Sequence, residues 1–177
     1  MGRMRRLLPV LVALVLGCGL PPAAHAGPEE HQRVLAYVTA EERAARDLMS
    51  SFDEVYDVPQ LTRIALEDAA HVRALQRLGI PAVERPRGDF GDYPGLQQDY
   101  WRWLAEGYVD LRSAAQAGVA IERQHLAVLD AAIAVEIDAR AWRTLRKVRR
   151  DDARHLTMLW RLWQATPPAQ PCGVPAC

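Results

Sequence analysis

From Glu29 onward, apolar residues recur at intervals of three and four, the period of a helix that buries one face. A first stripe runs Val38, Glu42, Ala45, Met49, Phe52, Tyr56. A second opens near Pro59, a residue suited to a first helical turn, and runs Leu61, Ile64, Asp68, His71, Leu75, Leu78 as far as Gly79. The third takes Leu111, Ala115, Gly118, Glu122, His125, Leu129, Ala132. The fourth takes Ala141, Leu145, Val148, Asp152, His155, Leu159, Leu162, and Pro167-Pro168 stops it. No alternating stretch of strand length breaks this pattern. The fold expected is all-α, an antiparallel bundle of four amphipathic helices. Between the second and third stripes, Ile80 to Gly95 carries Pro81, Pro86, Gly88, Gly91, Pro94 and Gly95, which divides the chain into two helical halves. A shorter helix over about Leu96 to Tyr108 follows, so the crossover between helices two and three is long and carries an element of its own. Its Trp101 and Trp103 read as contacts on the flank of the core.

The stripes are apolar except at their middles. There Glu42, the pair Asp68 and His71, the pair Glu122 and His125, and the pair Asp152 and His155 interrupt them. A carboxylate and an imidazole three residues apart share one helix face a turn apart, so both can reach one ion. Four carboxylates converging in an interior repel one another and must protonate or find a cation. A pair of divalent metal ions neutralises them together. The alternative for each acid–histidine pair is a buried hydrogen bond without metal. Glu41, beside Glu42, stands as an alternative ligand, and His125 is either a ligand or a partner that orients a carboxylate.

Composition narrows the chemistry further. Lys+Arg and Asp+Glu are 22 each, so net charge offers no argument for nucleic acid. The basic run Arg143 to Arg154 reads as a solvated helix face, Arg46 and Asp47 as a structural ion pair, and His31 as exposed. Lys147 is the sole lysine, which leaves Schiff-base chemistry almost without a candidate. Glycine-rich phosphate loops and the Gly-x-Ser-x-Gly elbow do not occur. At the N-terminus, Arg3, Arg5 and Arg6 precede an apolar run from Leu7 to Leu16, and Ala24-His25-Ala26 supplies a cleavage site. Residues 1–26 therefore read as a secretory signal, its run of about ten residues being half of the roughly 20 that span a bilayer. Export to the periplasm or the exterior is expected. A lipoprotein acylated at Cys18, and so held at the membrane, is the alternative. Either way Cys172 and Cys177 remain as a pair in an oxidising compartment, within a Pro-rich tail over 166–177 where a local disulfide is open.

One carboxylate on each of the first and third helices, with a carboxylate-x-x-His on each of the second and fourth, resembles the dimetal-carboxylate pattern of ferritin-like proteins. Here the pattern is Glu42, Asp68-x-x-His71, Glu122 and Asp152-x-x-His155. The wording Glu41-Glu42-Arg43-Ala44-Ala45-Arg46-Asp47, Ile64-Ala65 ahead of His71, and Gly118-Val119-Ala120-Ile121-Glu122 looks like the bacterial and archaeal ferritin-like domain of unknown function numbered twenty-two-oh-two. The resemblance covers about Val34 to Trp163 and implies a ferritin-like four-helix bundle over 29–165. That family has no settled activity to lend. The residues depart from the ferritin-like pattern at four positions: Asp stands for Glu at 68 and 152, Met49 sits where a tyrosine is often found, and His125 adds a nitrogen. What the resemblance implies is a pair of divalent ions, iron first and manganese next. The third nitrogen leaves zinc and copper open. The function expected is a dimetal protein that reacts with dioxygen or peroxide, in the manner of a non-haem di-iron oxidase or ferroxidase. The alternative is a non-catalytic or stress-related scaffold with one metal or none. Partners are then metal ions and the oxidant, not nucleic acid, with self-association left open.

Overall fold

The computed structural model describes residues 28–82, 85–136 and 138–168. The proposed signal, Cys18, Cys172 and Cys177 lie outside the described residues. Five helices and no strand occur among them: α1 (Pro28–Tyr56), α2 (Pro59–Gln76), α3 (Pro94–Gly107), α4 (Leu111–Val135) and α5 (Ala139–Ala165). Local chemistry sets their limits. Pro59 and Pro94 open α2 and α3, where a missing N–H costs nothing. Asp110 accepts from the Ser113 N–H at 2.6 Å to cap α4, and Asp138 accepts from Arg140 and Ala141 to cap α5. α2 ends at Gln76 rather than running to Leu78. The last residues of its stripe enter a turn, with Gly79 at φ +94°.

α1 packs on α2, α2 on α5, α5 on α4, and α4 on α1, which closes a ring of four long helices. Neighbours run antiparallel. Tyr56 near the end of α1 donates to the Gly107 carbonyl at 2.7 Å beside the start of α4, while His31 at the start of α1 meets Glu136 just past its end. His31 is therefore half-buried and paired, not exposed. The chain between α2 and α4 must cross the length of the bundle. α3 is part of that crossing and packs against α1 and α4.

Asp47 anchors the crossover. It takes Arg46 on one oxygen, as expected of an ion pair, and accepts from the Gly88 N–H at 3.0 Å on the other. Gln97 clasps the same loop, donating to the Gly88 carbonyl and accepting from the Phe90 N–H. Trp103 is buried in the core, whereas Trp101 is half-exposed. Gly107 permits α3 to seat: a Cβ there would lie 2.1 Å from Phe52 Cζ.

The apolar core is in two parts. One gathers Leu48, Met49, Phe52, Leu61, Ile64, Ile121 and Leu159 toward one end of the bundle. The other gathers Leu35, Val38, Leu75, Leu129, Leu145 and Val148 toward the other end. The charged middles of the stripes fall between them. On α4, Gly118 lets Met49 and Leu159 close over this layer, since a Cβ there would stand 2.9 Å from Leu159 and 3.1 Å from Met49.

Candidate metal centre

All seven residues singled out by the stripes meet in that middle layer, and each is 4% exposed or less. Three donor sets form, each with ligand atoms within 4.8 Å of one another: Glu42, Asp68, His71 and Asp152; Asp68, Glu122 and His155; Glu122, His125 and Asp152. The sets overlap, and Asp68, Glu122 and Asp152 each belong to two. His71 Nδ1 lies 3.1 Å from Glu42, 3.8 Å from Asp68 Oδ1 and 3.6 Å from Asp152 Oδ1. His155 Nδ1 lies 3.3 Å from the same Asp68 oxygen, 3.5 Å from Glu122 and 3.7 Å from the same Asp152 oxygen. The two imidazoles stack at 5.9 Å between centroids, with both Nδ1 atoms turned to the shared carboxylates. Glu42 rather than Glu41 faces the layer. Glu41 instead accepts from Gln124 at 3.1 Å.

Two carboxylates that the stripes did not select complete the geometry. His71 Nε2 meets Asp151 at 3.3 Å, and His155 Nε2 meets Glu67 at 2.9 Å. Each acid directly precedes the carboxylate of its own helix and serves the histidine of the other, so α2 and α5 exchange partners. A second sign was present in the sequence: acid-acid-x-x-His occurs twice, as Glu67-Asp68-x-x-His71 and Asp151-Asp152-x-x-His155. Asp151 belongs to the run Arg143 to Arg154 that reads as a solvated face, yet it is buried and ringed by Lys147 at 2.5 Å and Arg154 at 2.6 Å. Arg154 also reaches Glu67 at 3.4 Å and so ties the two outer acids together. An imidazole whose Nε2 is held by a carboxylate presents a fixed, electron-rich Nδ1 inward.

The electrostatics divide by layer. Burial and the charges of Asp68 and Glu122 hold Glu42 well above the usual carboxylate range, and burial with Glu42 and Glu122 does the same for Asp152. Burial raises Asp68 and pushes Glu122 up to about 7. For His155, burial alone would favour the neutral ring. The Asp68 and Glu122 carboxylates facing its Nδ1 override it and push the imidazole up to about 12. In the outer layer burial also opposes ionisation, but Arg63 and His155 hold Glu67 at about 2, and Lys147 and His71 hold Asp151 at about 2. Inner carboxylates thus resist their charge while outer ones keep it.

A cation fits this donor set on an independent count. Nine buried oxygen and nitrogen atoms of the seven residues have no hydrogen-bond partner among the described residues: Glu42 Oε1, Asp68 Oδ2, both Glu122 oxygens, both His125 nitrogens, both Asp152 oxygens and His155 Nδ1. An unmatched buried polar group costs about 1–3 kcal/mol. Nine of them would rival the roughly 5–15 kcal/mol by which a domain is folded at all. Oxygen and imidazole donors in this proportion suit divalent transition metals.

The solved structures include one similar chain, the hypothetical protein MJ0754 from Methanococcus jannaschii. It is 20% identical, has a TM-score of 0.73, and the match covers 82% of this chain and 86% of that one. It shows the same helical fold. No curated protein matches. Residues 31–163, which hold every residue of the charged layer, match the family described as Uncharacterized protein domain (DUF2202), and the chain belongs to that family.

Proposed function

We propose that this is a ferritin-like dimetal-carboxylate protein. It holds two divalent ions, iron first and manganese next, between the apolar ends of its bundle. The observation that carries the reading is the ring of nine unmatched buried donor atoms converging from four helices. Glu42 and His71 serve one ion and Glu122 and His155 the other, while Asp68 and Asp152, near both histidines, are the shared ligands. Iron in such a set supplies one-electron redox chemistry toward dioxygen or peroxide. The chain's own part is to fix the ligands through Glu67 and Asp151 and to keep the layer dry between two apolar clusters. The leader-like residues 1–26 favour work in the cell envelope.

The test adds ferrous iron to the metal-free protein under air and follows bound iron and dissolved oxygen. Two ions per chain with oxygen uptake, abolished when His71 and His155 are both changed to Ala, is the expected result. One redox-inert ion per chain would instead favour a non-catalytic scaffold. Metal content unaffected by the double change would remove the proposal.

A further inference from the structure

We infer that His125 is a ligand in its own right and makes the two halves of the metal layer unequal, giving the Glu122 side a nitrogen that the Glu42 side lacks. The inference rests on the dimetal reading and goes beyond it. His125 stands one turn past Glu122 on α4 and is 2% exposed. Its Nδ1 lies 4.0 Å from Asp152 Oδ2, the oxygen that is not the one facing His71 and His155. Glu122, His125 and Asp152 form a donor set of their own within the spacing of one ion.

What separates His125 from the other two is its surroundings. His71 and His155 each have Nε2 held by an outer acid, as a hydrogen-bonded structural histidine would. Among the described residues the His125 ring nitrogens make no such bond to a side chain, their polar neighbour being the Glu41 backbone. An imidazole serving only to orient a carboxylate would donate to it within hydrogen-bond reach, and 4.0 Å is too long for that. Two ligands held at about 2.0–2.2 Å by one tetrahedral ion stand about 3.3–3.6 Å apart, so a closing of a few tenths of an ångström lets both reach one cation. With Glu42 and His71 on one side and Glu122, His155 and His125 on the other, a softer divalent ion such as zinc prefers the second position.

The probe is Zn(II) added to metal-free, nitrogen-15-labelled protein, read by long-range proton–nitrogen correlation of the imidazoles. His125→Gln serves for assignment. Three rings, His71, His125 and His155, should each show one nitrogen moved to the zinc-bound position. Titration calorimetry should show two Zn(II) steps, of which His125→Gln weakens the tighter about tenfold or more and leaves the other within twofold. If His71 and His155 move while His125 keeps the spectrum of a free neutral ring, the inference fails and the dimetal reading stands. If none of the three moves, the dimetal reading itself fails. The spectrum of the unaltered protein decides between these outcomes even where His125→Gln folds poorly.

Discussion

At the scale of single residues, the layer is a competition between protons and metal for the same lone pairs. In metal-free protein the His155 Nδ1 proton lies among Asp68, Glu122 and Asp152, where a cation would bind. Metal uptake must expel protons from this ring and from the inner carboxylates. Affinity for Zn(II) or Mn(II) should therefore rise as pH increases through about 7, where Glu122 titrates, and proton release on binding should be measurable in weakly buffered solution. The same group sets a stability slope. Its folded value of about 7 lies above its ordinary 4.5, so its contribution is whole below 4.5 and is lost as pH rises through about 7. Denaturant unfolding of metal-free protein should show Glu122→Gln removing a loss on the order of 1–3 kcal/mol across that window. The outer acids behave differently. Glu67→Ala or Asp151→Ala should lower metal affinity about 10–100-fold by freeing a histidine to turn, with Glu67→Gln and Asp151→Asn retaining part of it.

At the scale of elements, the four long helices were legible because each keeps one stripe for six or seven positions, and a stripe predicts burial without tertiary knowledge. The seven inner residues were legible for the same reason, being the polar members of apolar stripes. Glu67 and Asp151 were not. They sit one position off the stripe, where the pattern expects solvent, and only the antiparallel contact of α2 and α5 sets their carboxylates against the opposite histidine. The path of the crossover was hidden as well, because a side chain 41 residues away, Asp47, holds Gly88. Two changes test these elements apart from the metal. Gly107→Ala forces a methyl against Phe52 and should destabilise the protein by about 1–3 kcal/mol through α3. Asp138→Ala removes the α5 cap and should lower the unfolding temperature. Thermal unfolding of both variants measures the costs, and metal affinity should be little changed by Asp138→Ala.

For the molecule as a whole, a polar layer between two apolar clusters ties folding to cation binding. Neither cluster contains the charged layer, yet every long helix contributes to all three. The bundle should accordingly unfold as one unit, at a temperature that rises with added metal. The claim beneath all of this is that the unmatched oxygens and nitrogens of Glu42, Asp68, Glu122, His125, Asp152 and His155, together with the His71 ring, surround cations. Anomalous diffraction from crystals of protein purified from its own host tests it most directly. Two peaks about 3.5–4 Å apart, each about 2.0–2.2 Å from these side chains, are expected. Crystals with no anomalous peak in the layer, and the same side chains hydrogen-bonded to one another instead, would contradict it.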